Sequence, residues 1–161
     1  MPLPEPARSA DPRAPTLWRL QGLIRLAFFG LPLSVGIGLG AGFSWGLIPG
    51  VVLGATLALV QLASALFWPS LEYAHFRYEL REHDLLVQSG VLLRLWSSVP
   101  YGRIQHVDTR QGPLERALGL ARVHVYTASG MSADSSIAGL SVADAERLRD
   151  LLSRRGGDDG V

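Results

Sequence analysis

The chain has 161 residues, with 15 basic residues, all of them arginine, against 14 acidic residues, and it has no cysteine. The missing cysteine excludes disulfides, thiolate nucleophiles and cysteine-ligated zinc. The charge is nearly balanced, with a formal net value of +1 and no basic stripe, which gives no support for nucleic-acid binding.

Residues 1–16 are predicted to form a disordered tail, because they contain five of the ten prolines together with small and charged residues. Residues 17–25 then mix apolar residues with arginine, which is typical of a helix at a membrane surface. Trp18 is expected at the level of the lipid headgroups, and Arg19 and Arg25 are expected to reach lipid phosphates. We expect this helix to continue directly into a membrane span.

A long apolar segment follows, since residues 26–71 contain no Asp, Glu, Lys, Arg or His. An uncharged apolar run of about 18 residues already predicts a membrane-spanning helix, so this segment predicts two helices and a tight reversal. The first span is expected at residues 22–42, the reversal at 43–45 and the second span at 46–68. Residues 17–71 are therefore predicted to form an interfacial helix and a two-span membrane hairpin.

Aromatic residues and a proline mark the ends of the predicted spans. Trp45 falls in the reversal and Trp68 at the end of the second span, where tryptophan is typical of the membrane–water interface. Pro69 is expected to end the second helix, because proline lacks the N–H that a helix interior needs. Arginines flank the hairpin on both sides and are absent from the reversal, which by the positive-inside rule predicts that both termini are cytoplasmic.

Small residues recur at every fourth position of the second span. They are Gly46, Gly50, Gly54 and Ala58. This spacing forms a ridge that lets two membrane helices approach each other closely. One interpretation is tight packing within the hairpin itself. The other is that part of the ridge docks another membrane protein.

From residue 76 onward the hydrophobic pattern alternates, which predicts β-strands. Strands are expected at residues 76–81, 85–89, 91–99, 103–110, 121–128 and 136–140, with a polar loop at 129–135. A short helix is expected at residues 112–119, and a final helix follows Ser141, whose hydroxyl is a good N-cap. Residues 72–155 are predicted to form one domain of antiparallel strands closed by a C-terminal helix. Residues 156–161 are expected to be a frayed tail.

Two segments resemble the bacterial pleckstrin-homology-like (YdbS-like) membrane proteins, namely VPYGRIQHVDTRQGPLERALGLARVHVYTASG, residues 99–130, and IAGLSVADAERLRDLL, residues 137–152. The two spans ahead of the domain agree with this family. The resemblance implies a two-helix transmembrane hairpin plus an α+β, mainly β, pleckstrin-homology-like (PH-like) domain, with antiparallel strands in two sheets, a short internal helix and a C-terminal helix. It also implies no established enzymatic activity, a setting of envelope stress, and frequent pairing with a larger multi-span protein that carries similar domains.

Four polar residues form a candidate interaction face on the fourth predicted strand. They are Arg103, Gln105, Asp108 and Arg110. Alternate residues of a strand share a face, so Arg103 and Gln105 are expected to line up. One interpretation is contact with a partner or a lipid headgroup. The other is a network that anchors the turn, in which Arg103 and Asp108 satisfy backbone groups beside the short helix.

Other kinds of site find little support in the sequence. The turn at residues 82–84 is acidic, whereas a phosphoinositide pocket needs a local positive excess. The histidines lack the short, fixed spacing of metal ligands. They are His75, His83, His106 and His124. Neither GxSxG nor GxxxxGK is present, so we expect no metal, no cofactor and no enzymatic activity.

The sequence thus predicts a membrane-anchored, non-enzymatic interaction module of the bacterial cytoplasmic membrane, in an assembly linked to envelope maintenance or stress. The expected partners are the lipid bilayer and another membrane protein, and a homo-oligomer is left open. The alternative is a lipid-binding or lipid-sensing protein, which would need an apolar or basic opening near Leu92, Leu95 and Trp96. A membrane enzyme would need converging titratable groups, which the sequence does not show.

Overall fold

A computed structural model describes residues 8–127 and 135–158 of the chain. The chain divides into two compact units. One unit is Trp18–Leu71, and the other combines the described residues up to Leu17 with those from Glu72 onward. The predicted polar loop at 129–135 lies outside the described residues except for Ser135, and residues 1–7 and 159–161 lie outside them as well.

Two long helices form the apolar part of the chain. The first runs without a break through α1 (Ala14–Arg25), a π-helical segment at Leu26–Gly30 and α2 (Leu31–Trp45), and the second is α3 (Leu47–His75). Both are long and apolar enough to cross a membrane. Gly46 alone makes the reversal, with a φ of 101° that favours glycine. The helix that precedes the apolar segment therefore continues directly into it, and the reversal lies one residue beyond its expected place.

Pro69 does not end the second helix, contrary to the sequence prediction. It is buried inside α3, which continues to His75. The Arg19 guanidinium donates hydrogen bonds to the Leu66 carbonyl oxygen, at 3.1 Å, and to the Ser70 hydroxyl. The carbonyl that loses its helical partner to Pro69 is that of Ala65, so Arg19 supports the helix beside the proline rather than replacing the lost hydrogen bond.

The domain after the hairpin consists of two three-stranded antiparallel sheets. Sheet one is β1 (Arg77–Leu80), β2 (Asp84–Ser89) and β3 (Leu95–Pro100), and sheet two is β4 (Ile104–Arg110), β5 (Leu120–Thr127) and β6 (Ser135–Ser141). A 3₁₀ turn at Tyr101–Arg103 links the sheets, α4 (Pro113–Ala117) lies between β4 and β5, and α5 (Val142–Asp158) follows β6. This arrangement confirms the predicted PH-like fold class.

Two element boundaries differ from the sequence prediction. The third strand begins at Leu95 rather than at residue 91, because Gly90 turns the chain with a φ of 94° and residues 91–94 form a loop. The final helix extends through Gly156 and Gly157 to Asp158, so fraying does not begin at residue 156. A Cβ atom at Gly156 would lie 3.4 Å from the Ile104 Cβ atom, which shows that the end of α5 packs closely on sheet two.

Residues 8–13, here called the N-terminal strap, are ordered, whereas the sequence predicted disorder for residues 1–16. Arg8 and Tyr78 exchange two backbone hydrogen bonds of 3.0 and 2.8 Å at the edge of sheet one. The Asp11 N–H donates to the Gly139 carbonyl oxygen in β6, at 2.8 Å, at the edge of sheet two. Arg13 lowers the pKa of the Asp11 carboxyl group through its hydrogen bond and donates to the Leu118 carbonyl oxygen. Residues 8–11 form no helix, and a non-helical backbone can pair with exposed sheet edges whatever its composition.

Apolar side chains of both sheets and α5 form the core of the domain. The fully buried ones include Leu85, Leu120, Val123, Val125, Ile137 and Leu152. Tyr101 is buried between the sheets and α5, and burial raises the pKa of its phenol. The Arg155 guanidinium lies 4.9 Å from the centre of the Tyr101 ring and donates to its hydroxyl, so α5 is fixed to the turn that links the two sheets.

Candidate interaction site

The outer surface of sheet two carries a group of polar and aromatic side chains, here called the polar face. The members alternate along two paired strands with buried residues such as Val107 and Val125. The polar face consists of His106, Asp108 and Arg110 from β4 and of Arg122, His124 and Tyr126 from β5. Its side chains are half-buried or exposed, while the valines between them belong to the core.

The polar face is a connected network. Nε2 of His106 lies 2.6 Å from one carboxylate oxygen of Asp108, and Nη2 of Arg110 lies 3.5 Å from the other. The same Arg110 nitrogen donates to the Tyr126 hydroxyl, at 2.9 Å. The Tyr126 ring lies between two imidazoles, with ring centres 5.9 Å from His106 and 6.5 Å from His124. The side chains are thus held in defined positions on an accessible surface.

A β-bulge separates the predicted interaction face into two parts. The pairing of β4 with β5 shifts between Ile104 and His106, which leaves Gln105 as an extra residue. Arg103 lies before the strand, in the 3₁₀ turn. The structure therefore brings Asp108 and Arg110 together but places Arg103 and Gln105 outside their network. Both Asp108 oxygens contact side chains rather than the backbone groups that the turn-anchoring interpretation requires.

A buried carboxylate joins the polar face to the short helix. Glu115 of α4 accepts a 2.6 Å hydrogen bond from the Gly112 N–H, and its other oxygen lies 3.3 Å from Nη2 of Arg122. Glu115 thus makes the half of a capping box that a glycine N-cap allows, with its carboxylate accepting from the Gly112 N–H at the start of α4. The ion pair positions Arg122 on β5 and thereby links α4 to the polar face.

The surroundings of His124 favour its neutral form. Burial lowers the pKa of its imidazole, and the nearby Arg110 and Arg122 guanidiniums lower it further. A neutral imidazole offers one hydrogen-bond donor and one acceptor to a partner. Within residues 8–127 and 135–158, no group of three or more His, Cys, Asp and Glu side chains is placed to hold a metal ion. The arrangement is suited to hydrogen bonding and aromatic contact.

The predicted glycine ridge divides between a turn and the inside of the hairpin. Gly46 is the reversal itself. A Cβ atom at Gly50 would lie 2.5 Å from the Gly38 carbonyl oxygen, and one at Gly54 would lie 3.0 Å from the Ser34 carbonyl oxygen. Gly50 and Gly54 therefore pack against the first span. Ala58 lines an apolar groove of about 510 Å³ that runs along the same pair of helices.

The expected interface anchors have different surroundings in the structure. Trp45 and Trp68 are exposed, as is Arg25. Trp18 is half-buried. Arg19 is exposed but is held by the Leu66 carbonyl and by Ser70 rather than extending freely.

A polar contact between the two spans was not anticipated from the sequence. Gln61 donates from its amide nitrogen to the Ser34 hydroxyl, at 3.0 Å, and Ser34 donates to the Gly30 carbonyl oxygen, at 2.9 Å. A Cβ atom at Gly30 would overlap the Gln61 amide oxygen, so any side chain there would displace Gln61 from its present position. The lone glutamine within an apolar span could have indicated this contact, because polar side chains inside membranes usually form hydrogen bonds across helices.

The β2–β3 loop forms a second exposed surface, of apolar character. Leu92 and Leu93 at its tip are 83% and 87% exposed, and Leu95 and Trp96 at the start of β3 are also exposed. Such large apolar residues together on a surface indicate a contact with lipid or with another protein.

These features define a transmembrane protein with a PH-like domain, and known proteins agree with that class. The chain belongs to the bacterial PH domain family, whose model matches residues 26–156. The chain is 36% identical over 159 residues to the UPF0699 transmembrane protein YdbS of Bacillus subtilis (strain 168), covering 98% of each chain. This confirms the resemblance to the YdbS-like family.

A second relative shares only part of its length with this chain. The UPF0699 transmembrane protein YdbT of the same organism is 22% identical over 106 residues, which cover 65% of this chain but only 20% of that relative. No solved structure matches the chain significantly.

Proposed function

We propose that the chain is a membrane-anchored, non-enzymatic interaction module that assembles with another membrane protein through the polar face. The observation that carries this proposal is the connected network of Asp108, Arg110 and Tyr126 on the accessible side of sheet two. Tyrosine and arginine are the residue types most enriched where protein interfaces gain their affinity.

The geometry of the network suits a protein partner. Arg110 is held by both Asp108 and Tyr126, so binding would immobilise less side-chain freedom than for an isolated surface arginine. Neutral His124 adds a donor and an acceptor without adding charge. Anchoring in the membrane raises the effective concentration of any partner in the same bilayer, so that even a weak contact can hold an assembly together.

The proposed partner is a larger multi-span membrane protein with PH-like domains. The partial match to a much longer transmembrane relative supports this proposal, because it shows that a similar segment occurs within larger membrane proteins. Self-association into a homo-oligomer is the competing outcome. The proposed setting is the bacterial cytoplasmic membrane, in an assembly linked to envelope maintenance or stress.

We also propose that both ends of the chain are cytoplasmic. The arginines on either side of the hairpin support this orientation. The backbone pairing of Arg8 with Tyr78 supports placing the two flanks of the hairpin on one side, because paired strands cannot be separated by a bilayer.

The test uses the tagged full-length chain, purified from its native host in mild detergent and analysed by mass spectrometry. A co-purifying membrane protein is then purified itself and titrated against three forms of the chain. Arg110→Ala is expected to weaken binding at least about tenfold, a loss typical of a hot-spot arginine. Tyr126→Phe, which removes only the hydroxyl that holds Arg110, is expected to weaken binding less.

Arg147→Ala is the matched control, since Arg147 is an arginine on α5 whose side chain is 82% exposed. It is expected to bind like the unchanged chain. Equal affinity of the Arg110→Ala and Arg147→Ala variants would refute the proposed surface. A chain that purifies alone with one enriched lipid class would favour the lipid-binding alternative instead.

A further inference from the structure

The β2–β3 loop, residues 90–94, exposes apolar side chains that do not contribute to the core of the domain. Gly90 adopts a φ of 94°, and a Cβ atom there would overlap the Leu93 carbonyl oxygen, so glycine makes a tight turn possible. The turn leaves Leu92 and Leu93 at the tip, 83% and 87% exposed. Removing two leucines from water is favourable wherever an apolar phase is within reach.

The strand pairing places this loop at a specific end of sheet one. Gln88, near the end of β2, pairs with Arg77 at the start of β1. Arg77 follows His75, the last residue of α3, by two positions. The loop therefore lies at the end of the sheet where the chain leaves the spanning helix. The turn at Glu82 and His83 lies at the opposite end of the same sheet.

The charge along this part of the sequence favours a lipid surface. The sequence contains no carboxylate between Asp84 and Asp108, whereas Arg94 lies within the loop itself. Trp96 follows at the start of β3. Leucines at a tip with an arginine and a tryptophan behind them are typical of segments that enter the headgroup region of a bilayer.

We propose that the β2–β3 loop inserts Leu92 and Leu93 into the adjoining lipid leaflet, with Arg94 directed to lipid phosphates and Trp96 at headgroup level. The loop would then be a second membrane contact, separate from the two spans. It would keep the PH-like domain in contact with the bilayer.

The natural absence of cysteine makes a direct test simple. The full-length Leu93→Cys variant is labelled with a polarity-sensitive fluorophore and reconstituted into phosphatidylcholine–phosphatidylglycerol vesicles. The matched control is His83→Cys, at the opposite end of sheet one, where the side chain is 88% exposed. The label at residue 93 is expected to emit at shorter wavelength and to be quenched several-fold more strongly by nitroxides on the lipid acyl chains.

Equal emission and equal nitroxide quenching at the two positions would overturn the proposal. A shortened emission wavelength at residue 93 without nitroxide quenching would overturn it too, because the label would then be covered by protein rather than by lipid. Arg94→Gln in the labelled chain is expected to reduce the quenching, and more so in vesicles that contain phosphatidylglycerol than in pure phosphatidylcholine. The labelled side chain is exposed, so loss of folding does not complicate the comparison.

Discussion

The contacts that stabilise the membrane hairpin internally differ from those that stabilise the PH-like domain. In the hairpin, the closest contacts join backbone to backbone at Gly38, Gly50 and Gly54. In the domain, buried apolar side chains such as Leu152 and Val123 fill the space between the sheets and α5. Lipid tails are as apolar as leucine, so the hairpin depends on close approach, whereas the domain gains stability by removing side chains from water. A substitution that adds volume should therefore damage the hairpin most, and one that removes volume should damage the domain most.

The largest expected effect is that of Gly50→Leu on the hairpin. Its Cβ atom alone would lie 2.5 Å from backbone atoms of both Gly38 and Gly42, which cannot move aside as a flexible side chain can. We expect the two spans to separate, measured as a loss of energy transfer between fluorophores placed on each span. Gly36→Leu is the control, because its Cβ position has no neighbour within 4 Å outside the adjoining backbone of its own helix. Unchanged energy transfer in Gly50→Leu would contradict the packing described above.

A smaller effect is expected for Leu152→Ala in the domain. Leu152 is fully buried, and deleting a buried leucine side chain costs about 2–5 kcal/mol of unfolding free energy. Amide hydrogen exchange should accelerate in β4 and β5 while α2 stays unchanged. Leu92→Ala removes the same atoms at an exposed position and should leave the exchange of both regions unaltered. Equal acceleration in both variants would show that Leu152 does not contribute to the core.

The smallest expected effect is a pH dependence that arises from His124. The folded state lowers the pKa of this imidazole, so below its ordinary value of 6.5 the unfolded chain binds a proton more readily than the folded one. Stability should therefore fall as the pH decreases through about 6.5. His124→Gln should flatten this slope in thermal unfolding of the full chain. An unchanged slope would show that another group titrates.

The hairpin was predictable because the absence of charge over residues 26–71 is a strong signal. The exact residue of the reversal and the position of Pro69 inside α3 could not be predicted from the sequence. A proline need not end a membrane helix when neighbouring groups support the backbone beside it, and here Arg19, far away in sequence, bonds the nearby Leu66 carbonyl and Ser70 hydroxyl. Similarly, Arg103 and Gln105 do not join Asp108 and Arg110, because Arg103 lies in the 3₁₀ turn before β4 and a bulge leaves Gln105 unpaired.

The strap and the β2–β3 loop were missed for another reason. Backbone hydrogen bonds from Arg8 and Asp11 to sheet edges depend on no side-chain pattern, so composition alone suggested disorder. Leu92 and Leu93 continued the apolar alternation of a strand, and only the turn at Gly90 removes them from the sheet. His106 and Tyr126 became recognisable as neighbours once the pairing register was known.

The N-terminal strap also constrains the order in which the contacts of the domain can form during folding. Its partners, Tyr78 in β1 and Gly139 in β6, are synthesised after the whole hairpin. Contacts between such distant parts of a chain form late, because the intervening chain must first be in place. The strap is synthesised before its partners and is thus among the last of the described segments to dock. The hairpin is therefore synthesised, and can insert into the membrane, before the strap covers the edges of β1 and β6.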